Sequence, residues 1–166
     1  MIVVNNKKEI KELIIQRIRE QGLNCNLNDI DVSKVTDMSE LFMSSKFNGD
    51  ISTWDVSNVK NMSYMFYNSD FNGDLSKWDT GRVRNMMEMF SYTRFNGDIS
   101  QWDVSNVRDM RYMFYSSKFD GDISNWNVSN VEDMSFMFEG SVFKGDLSKW
   151  DIRNAKNIEE YVWNIR

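Results

Sequence analysis

Phe47-Asn48-Gly49-Asp50-Ile51-Ser52-Thr53-Trp54-Asp55-Val56-Ser57-Asn58-Val59-Lys60-Asn61-Met62-Ser63-Tyr64-Met65-Phe66 returns almost unchanged from Phe71, Phe95, Phe119 and Phe143. Its tryptophans, Trp54, Trp78, Trp102, Trp126 and Trp150, recur every 24 residues. A fixed period of this length is the signature of a solenoid. One unit cannot bury its own apolar face, so neighbours bury it by stacking, and leucine-rich repeats have similar lengths.

Within a unit, Asn48-Gly49 reads as a turn dipeptide in which Gly supplies positive φ. Asp50-Ile51-Ser52 reads as a short strand with Ile inward, closed by Trp54. Ser57 is placed to cap a helix, and Val59, Met62, Met65 and Phe66 then follow as one face of it. The expected fold is an α/β, leucine-rich-repeat-like solenoid of six 24-residue units. Short parallel strands would line one side and short helices the other. At about 4.8 Å per unit the sheet would run roughly 29 Å.

Residues 1–22 differ from the rest. Asn6 followed by Glu9 resembles a capping box, Ile10, Leu13, Ile14 and Ile18 recur at helical spacing, and Gly22 is a natural stop. This segment reads as an N-terminal helix covering the first end of the stack. Counting back from Phe47 starts a worn first unit at Leu23, with Leu27, Ile30, Asp31-Val32-Ser33-Lys34-Val35 and Met38 in pattern. The six units fill 23–166. The last is degraded, with Arg153, Ala155, Ile158, Tyr161 and Val162 in place of Ser, Val, Met, Met and Phe. Nothing interrupts the chain, so 1–166 reads as one domain.

Composition narrows the chemistry. The net charge of −5 and the lack of a polybasic run argue against direct nucleic-acid binding. There is no His and one Cys, Cys25. The commonest general base is missing, as are a disulfide framework and a Cys-rich zinc site. The Phe and Met excess falls in repeat columns, which marks it as core. Met1-Ile2-Val3-Val4 is too short for a signal peptide, and no apolar run is long enough to span a bilayer. The expected location is the cytoplasm, with surface display an alternative if a leader has been removed.

The motif Phe-Asn-Gly-Asp-Ile-Ser-x-Trp-Asp-Val-Ser-Asn-Val-x-x-Met-x-x-Met-Phe resembles the repeat of the BspA-like surface proteins, also called the mycoplasma-lipoprotein-type repeat. The resemblance covers about residues 23–166. It implies a leucine-rich-repeat-like solenoid and a role in protein–protein contact, and long members resemble bacterial adhesins. It implies no catalytic residues.

Asp50, Asp74, Asp98, Asp122 and Asp146 form one acidic column; Asp31, Asp55, Asp79, Asp103 and Asp151 form another, with Asn127 in the gap. Carboxylates stacked about 4.8 Å apart repel by about 0.9 kcal/mol even at the dielectric of water. Calcium could offset this, but the Gly-Gly-x-Gly-x-Asp pattern is missing. Hydrogen bonds from backbone N–H groups two residues on could do so as well, and Asn127 can accept them without charge. The Ser column from Ser52 to Ser148 lacks the base that a nucleophile needs. No metal, cofactor or catalytic residue is therefore expected.

Columns that vary between units are not dictated by stacking. Thr53, Lys77 and Gln101 vary on the expected strand side. On the expected helix side, Tyr64, Tyr67, Tyr92, Tyr112, Tyr115 and Phe136 are interspersed with Arg84, Arg94, Arg108 and Arg111. Tyr and Arg are enriched in interface hot spots. Tyr64, Tyr67, Arg84, Arg108, Arg111, Tyr112, Tyr115 and Phe136 are the expected partner-binding residues. The function expected is a non-enzymatic protein-interaction module, a monomer that binds a protein partner and no membrane. The alternatives are a fragment of a bacterial surface adhesin and a small phage- or mobile-element-encoded inhibitor of a host defence complex.

Overall fold

A helix needs its first N–H groups capped, and the Asn6 side chain accepts from the N–H groups of Lys8 and Glu9 at 3.0 and 3.1 Å. Helix α1 then runs over Lys7–Gln21 in the computed structural model, which describes residues 1–156. Glu9 reaches back to the N–H of Asn5 at 2.8 Å, one residue beyond the cap. Gly22, at φ 88°, ends the helix and donates to the carbonyl of Ile18. Ile10 and Ile14 are buried. Lys7 donates to Ser39 at 2.7 Å and Arg17 pairs with Asp29, so α1 lies on the first unit. Strand β1 (Ile2–Val3) pairs in parallel with β2 (Ile30–Asp31) of that unit.

Successive units pair in parallel register at residues 24 apart. The bridges run Asp37 to Asn61, Asn61 to Asn85, Asn85 to Asp109, and Asp109 to Asp133, with a further one, one residue short of the period, from Asp133 to Lys156. These residues lie on the side where short helices were expected. The helix expected over 59–66 is not there; among the described residues α1 is the single α-helix, and Asn61 is a bridge residue followed by turns over 63–68.

The backbone donors explain the difference. From Met62 on, alternate N–H groups leave the unit: Met62 donates to Asn85, Tyr64 to Met87, Phe66 to Met89 and Asn68 to Ser91. Those between stay local. Ser63 donates to the Asn61 side chain, Met65 to Met62, Tyr67 to Tyr64 and Ser69 to Phe66. Every donor from 62 to 69 is satisfied without an i to i−4 bond. The apolar residues Val56, Val59, Met62 and Met65 recur every three residues, which suits turns closed by i to i−3 bonds. An isolated helix this short would be marginal in any case.

Glycine is the second correction. Gly49, Gly73, Gly97 and Gly121 do not have positive φ. At Gly97 an added Cβ would lie 2.9 Å from two atoms of the Phe95 ring. The column keeps glycine because that ring folds back over it. The preceding Asn supplies a rung: the side-chain oxygen of Asn48 accepts from the N–H of Asn72, and that of Asn72 from Asn96.

The core is a set of ring columns. Phe66 stacks on Phe90 at 5.6 Å, Phe71 on Phe95 at 6.5 Å, and Trp78 on Trp102 at 6.4 Å. On the bridged side Tyr112 stacks on Phe136 at 4.8 Å. Units related by pure translation would give every column one spacing. The like-residue columns differ, 5.6 Å for Phe66 to Phe90 against 6.4 Å for Trp78 to Trp102, so successive units are not related by translation alone. Ile158, Tyr161 and Val162 of the degraded last unit lie outside the described residues.

Candidate interaction surface

The turn that follows each bridged residue needs two left-handed positions per unit. Glu40, Tyr64, Glu88, Tyr112 and Phe136 fill the first, at φ 54–59°. Ser44, Asn68, Tyr92, Ser116 and Gly140 fill the second. Asn and Gly tolerate this conformation, whereas other side chains meet a cost of about 1–2 kcal/mol. Tyr64, Tyr92, Tyr112 and Phe136 are therefore bulky rings at positions where local backbone preference disfavours them.

Those rings meet. Tyr64 and Tyr67 contact edge to face at 5.7 Å, Tyr67 and Tyr92 at 5.7 Å, and Tyr92 and Tyr115 at 5.3 Å. Tyr115 meets Tyr112 at 5.5 Å, and Tyr112 stacks on Phe136. The result is an unbroken ribbon of six rings across four units. Tyr92 is 48 % exposed and the others are half-buried. The Tyr64 hydroxyl donates to Glu88 at 3.0 Å, and burial together with this carboxylate raises its pKa. Desolvation and the Tyr115 phenol push Tyr92 the same way. Both phenols stay neutral donors at ordinary pH.

Of the residues expected from sequence, Tyr64, Tyr67, Tyr112, Tyr115 and Phe136 come together in the ribbon. Arg111 is held by Asp109 through a two-pronged contact, Nη2 to Oδ2 at 2.7 Å, and its charge acts on the Tyr64 phenol. Arg108 pairs with Glu132 at 2.7 Å, an exposed pair worth little by itself. Arg84 instead lines a depression with Lys60, Gly81, Arg82 and Asn106, none of which is a ribbon residue. Tyr92 lies outside the two columns of the other tyrosines, yet it joins their two halves. Its signal in the sequence is a ring in a column that otherwise holds Ser, Asn and Gly.

The acidic columns are turn acceptors. Asp50, Asp74, Asp98, Asp122 and Asp146 each accept the N–H of the Ser two residues on, at 2.9–3.0 Å. Those N–H groups hold the carboxyls of Asp74, Asp98 and Asp122 below the ordinary range. In the second column, Asp55 and Asp103 accept from Ser57 and Ser105, and Asn127 accepts from Ser129 in the same way. Arg153 clamps Asp151 and lowers it to about 2. The Ser52 hydroxyl donates to Asp50. Among the described residues no group of three or more His, Cys, Asp or Glu is placed to hold a metal ion. No helix among them is long and apolar enough to cross a membrane.

No curated protein and no solved structure matches the chain. A family model matches residues 12–117 and 91–166, which together take in both the ribbon and the bridged column. The chain therefore belongs to the family described as Mycoplasma protein of unknown function, DUF285.

Proposed function

We propose that this protein is a non-enzymatic protein-interaction module, a solenoid related to leucine-rich repeats whose binding face is the ribbon from Tyr64 to Phe136. The observation that carries this reading is the placing of four rings at left-handed positions, where stacking gives no reason for them. Their contacts join them with Tyr67 and Tyr115 into one surface. Aromatic side chains gain most when a partner desolvates them, and truncating such anchors typically costs 2 kcal/mol or more of binding. The BspA-like resemblance of the repeat supports a role in protein contact.

A photo-crosslinking side chain placed at Tyr92, with Thr53 as the control site, tests the choice of face in native lysate. Both positions are exposed. The reading expects a discrete adduct from position 92, and loss of the captured protein on Tyr64→Ala/Tyr112→Ala but not on Thr53→Ala/Gln101→Ala. An adduct from position 53 alone would move the binding face to the opposite side.

A further inference from the structure

One unit departs from its neighbours at three consecutive positions. Val56-Ser57-Asn58 and Val104-Ser105-Asn106 flank it on either side, but between them the chain reads Thr80-Gly81-Arg82. The core does not demand the change, since Val56, Thr80 and Val104 are all buried.

Its effect is on the surface. Asn58, Asn106 and Asn130 each donate a side-chain N–H to a main-chain carbonyl of the preceding unit, at 2.7–2.8 Å. Arg82 replaces that rung with a guanidinium, which donates to the Asn58 side-chain oxygen. Ser57 places a hydroxyl on Asp55, whereas Gly81 leaves its place bare. An open depression of about 350 Å³ results, lined by Lys60, Gly81, Arg82, Arg84 and Asn106.

The charges there are unbalanced. Lys60 and Arg84 occupy one column in adjacent units, joined by the N–H of Arg84 on the carbonyl of Lys60 at 2.9 Å. The next member, Arg108, has Glu132 as counter-ion. Among the described residues no carboxylate pairs with Lys60, Arg82 or Arg84. Asp79 and Asp103 flank Gly81, with Asp79 Oδ1 and Asp103 Oδ2 each 3.2 Å from where a Cβ would stand, so two carboxylates offset part of this charge; neither lines the hollow itself. The lining of the hollow thus holds three cations and no carboxylate, in a chain of net charge −5. Like charges gathered round one hollow repel, and an anion there would relieve them.

We infer that the hollow beside Gly81 is an oxyanion site that takes a phosphate group, held by Arg82, Arg84 and Lys60. Guanidinium forks match phosphate oxygens in pairs, and Lys adds a point charge. Lys60 comes from one unit and Arg82 and Arg84 from the next, so the group would be shared between two units.

The test is titration of the ¹⁵N-labelled full chain with inorganic phosphate at constant ionic strength, followed by NMR. Saturable shifts are expected at Lys60, Gly81, Arg82 and Arg84 and not at Ser129 or Asn130. Gly81→Ser/Arg82→Asn restores the neighbours' own sequence, so it keeps the fold while filling the hollow. It should weaken phosphate binding tenfold or more, as should Arg84→Gln, with Arg108→Gln unchanged. O-phosphoserine binding at least as well as phosphate would assign the site to a phosphate ester; phosphate binding better would assign it to the free anion. Shifts no larger than chloride produces, acetate binding as well as phosphate, or undiminished binding by Gly81→Ser/Arg82→Asn would each overturn the inference.

Discussion

The indole N–H of Trp102 donates to the main-chain carbonyl of Leu75 at 3.0 Å, across 27 residues of chain. Trp54, Trp78, Trp126 and Trp150 repeat the contact with Leu27, Ile51, Ile99 and Ile123. Each indole thus stacks in its own column and bonds the unit before it. Trp102→Ala is expected to cost about 3–5 kcal/mol. Trp102→Phe, which keeps a ring but loses the donor, should cost about 1–2 kcal/mol. Urea unfolding measures both, and a loss below about 1 kcal/mol for the alanine variant would contradict the buried column.

Gly97→Ala should destabilise by about 1–3 kcal/mol through overpacking. The Phe95 ring that a Cβ would strike is buried, 4.3 Å from Phe90 and stacked between Phe71 and Phe119, so it has nowhere to move. The backbone there is not left-handed, so the cost would come from contact alone. An unchanged urea midpoint would contradict this packing.

The Asp columns set a pH dependence. Asp74, Asp98 and Asp122 have folded pKa values below the unfolded value, because Ser N–H groups favour the carboxylate. Their contribution is fully present above the unfolded pKa, near 3.9, and is lost as pH falls through the folded values. Urea midpoints should hold from pH 7 to about 5 and drop toward pH 3. Asp98→Asn should flatten the drop at little cost at pH 7, since Asn127 already serves as a neutral acceptor. A variant as acid-sensitive as the parent chain would contradict this origin.

Tyr92→Asn separates stability from binding. Asn suits the left-handed backbone, as Asn68 does at the same position of an earlier unit. The relief offsets the lost contacts with Tyr67 and Tyr115, and stability should change by less than about 1 kcal/mol. Binding of the partner captured at position 92 should fall tenfold or more. A large loss of stability would make Tyr92 a structural residue.

Much of the layout is legible because it is periodic. Trp54 to Trp150 and both Phe columns announce themselves by recurrence, and they are buried. Asn6 and Gly22 mark the ends of α1 because capping is local chemistry. The bridged side was not legible. Val59, Met62 and Met65 fit a helix face as well as a series of three-residue turns, and the choice is made by N–H groups donating to a unit that local pattern does not see. Gly49 looked like a positive-φ residue because Asn-Gly usually is one, while the nearby Phe47 ring acts only once folded. The period puts Lys60 and Arg84 in one column, but that this column lies beside Gly81 and Arg82 shows only in the fold.

The position of the ribbon depends on residues 59–69 being a rung of the bridged ladder and not a helix. Scalar coupling across hydrogen bonds, measured by NMR on the labelled chain, reads this directly. The account predicts a correlation from the Tyr64 amide nitrogen to the Met87 carbonyl carbon, and another from Phe66 to Met89. Correlations from Tyr64 to Lys60 and from Phe66 to Met62 would be those of a helix, and would contradict it.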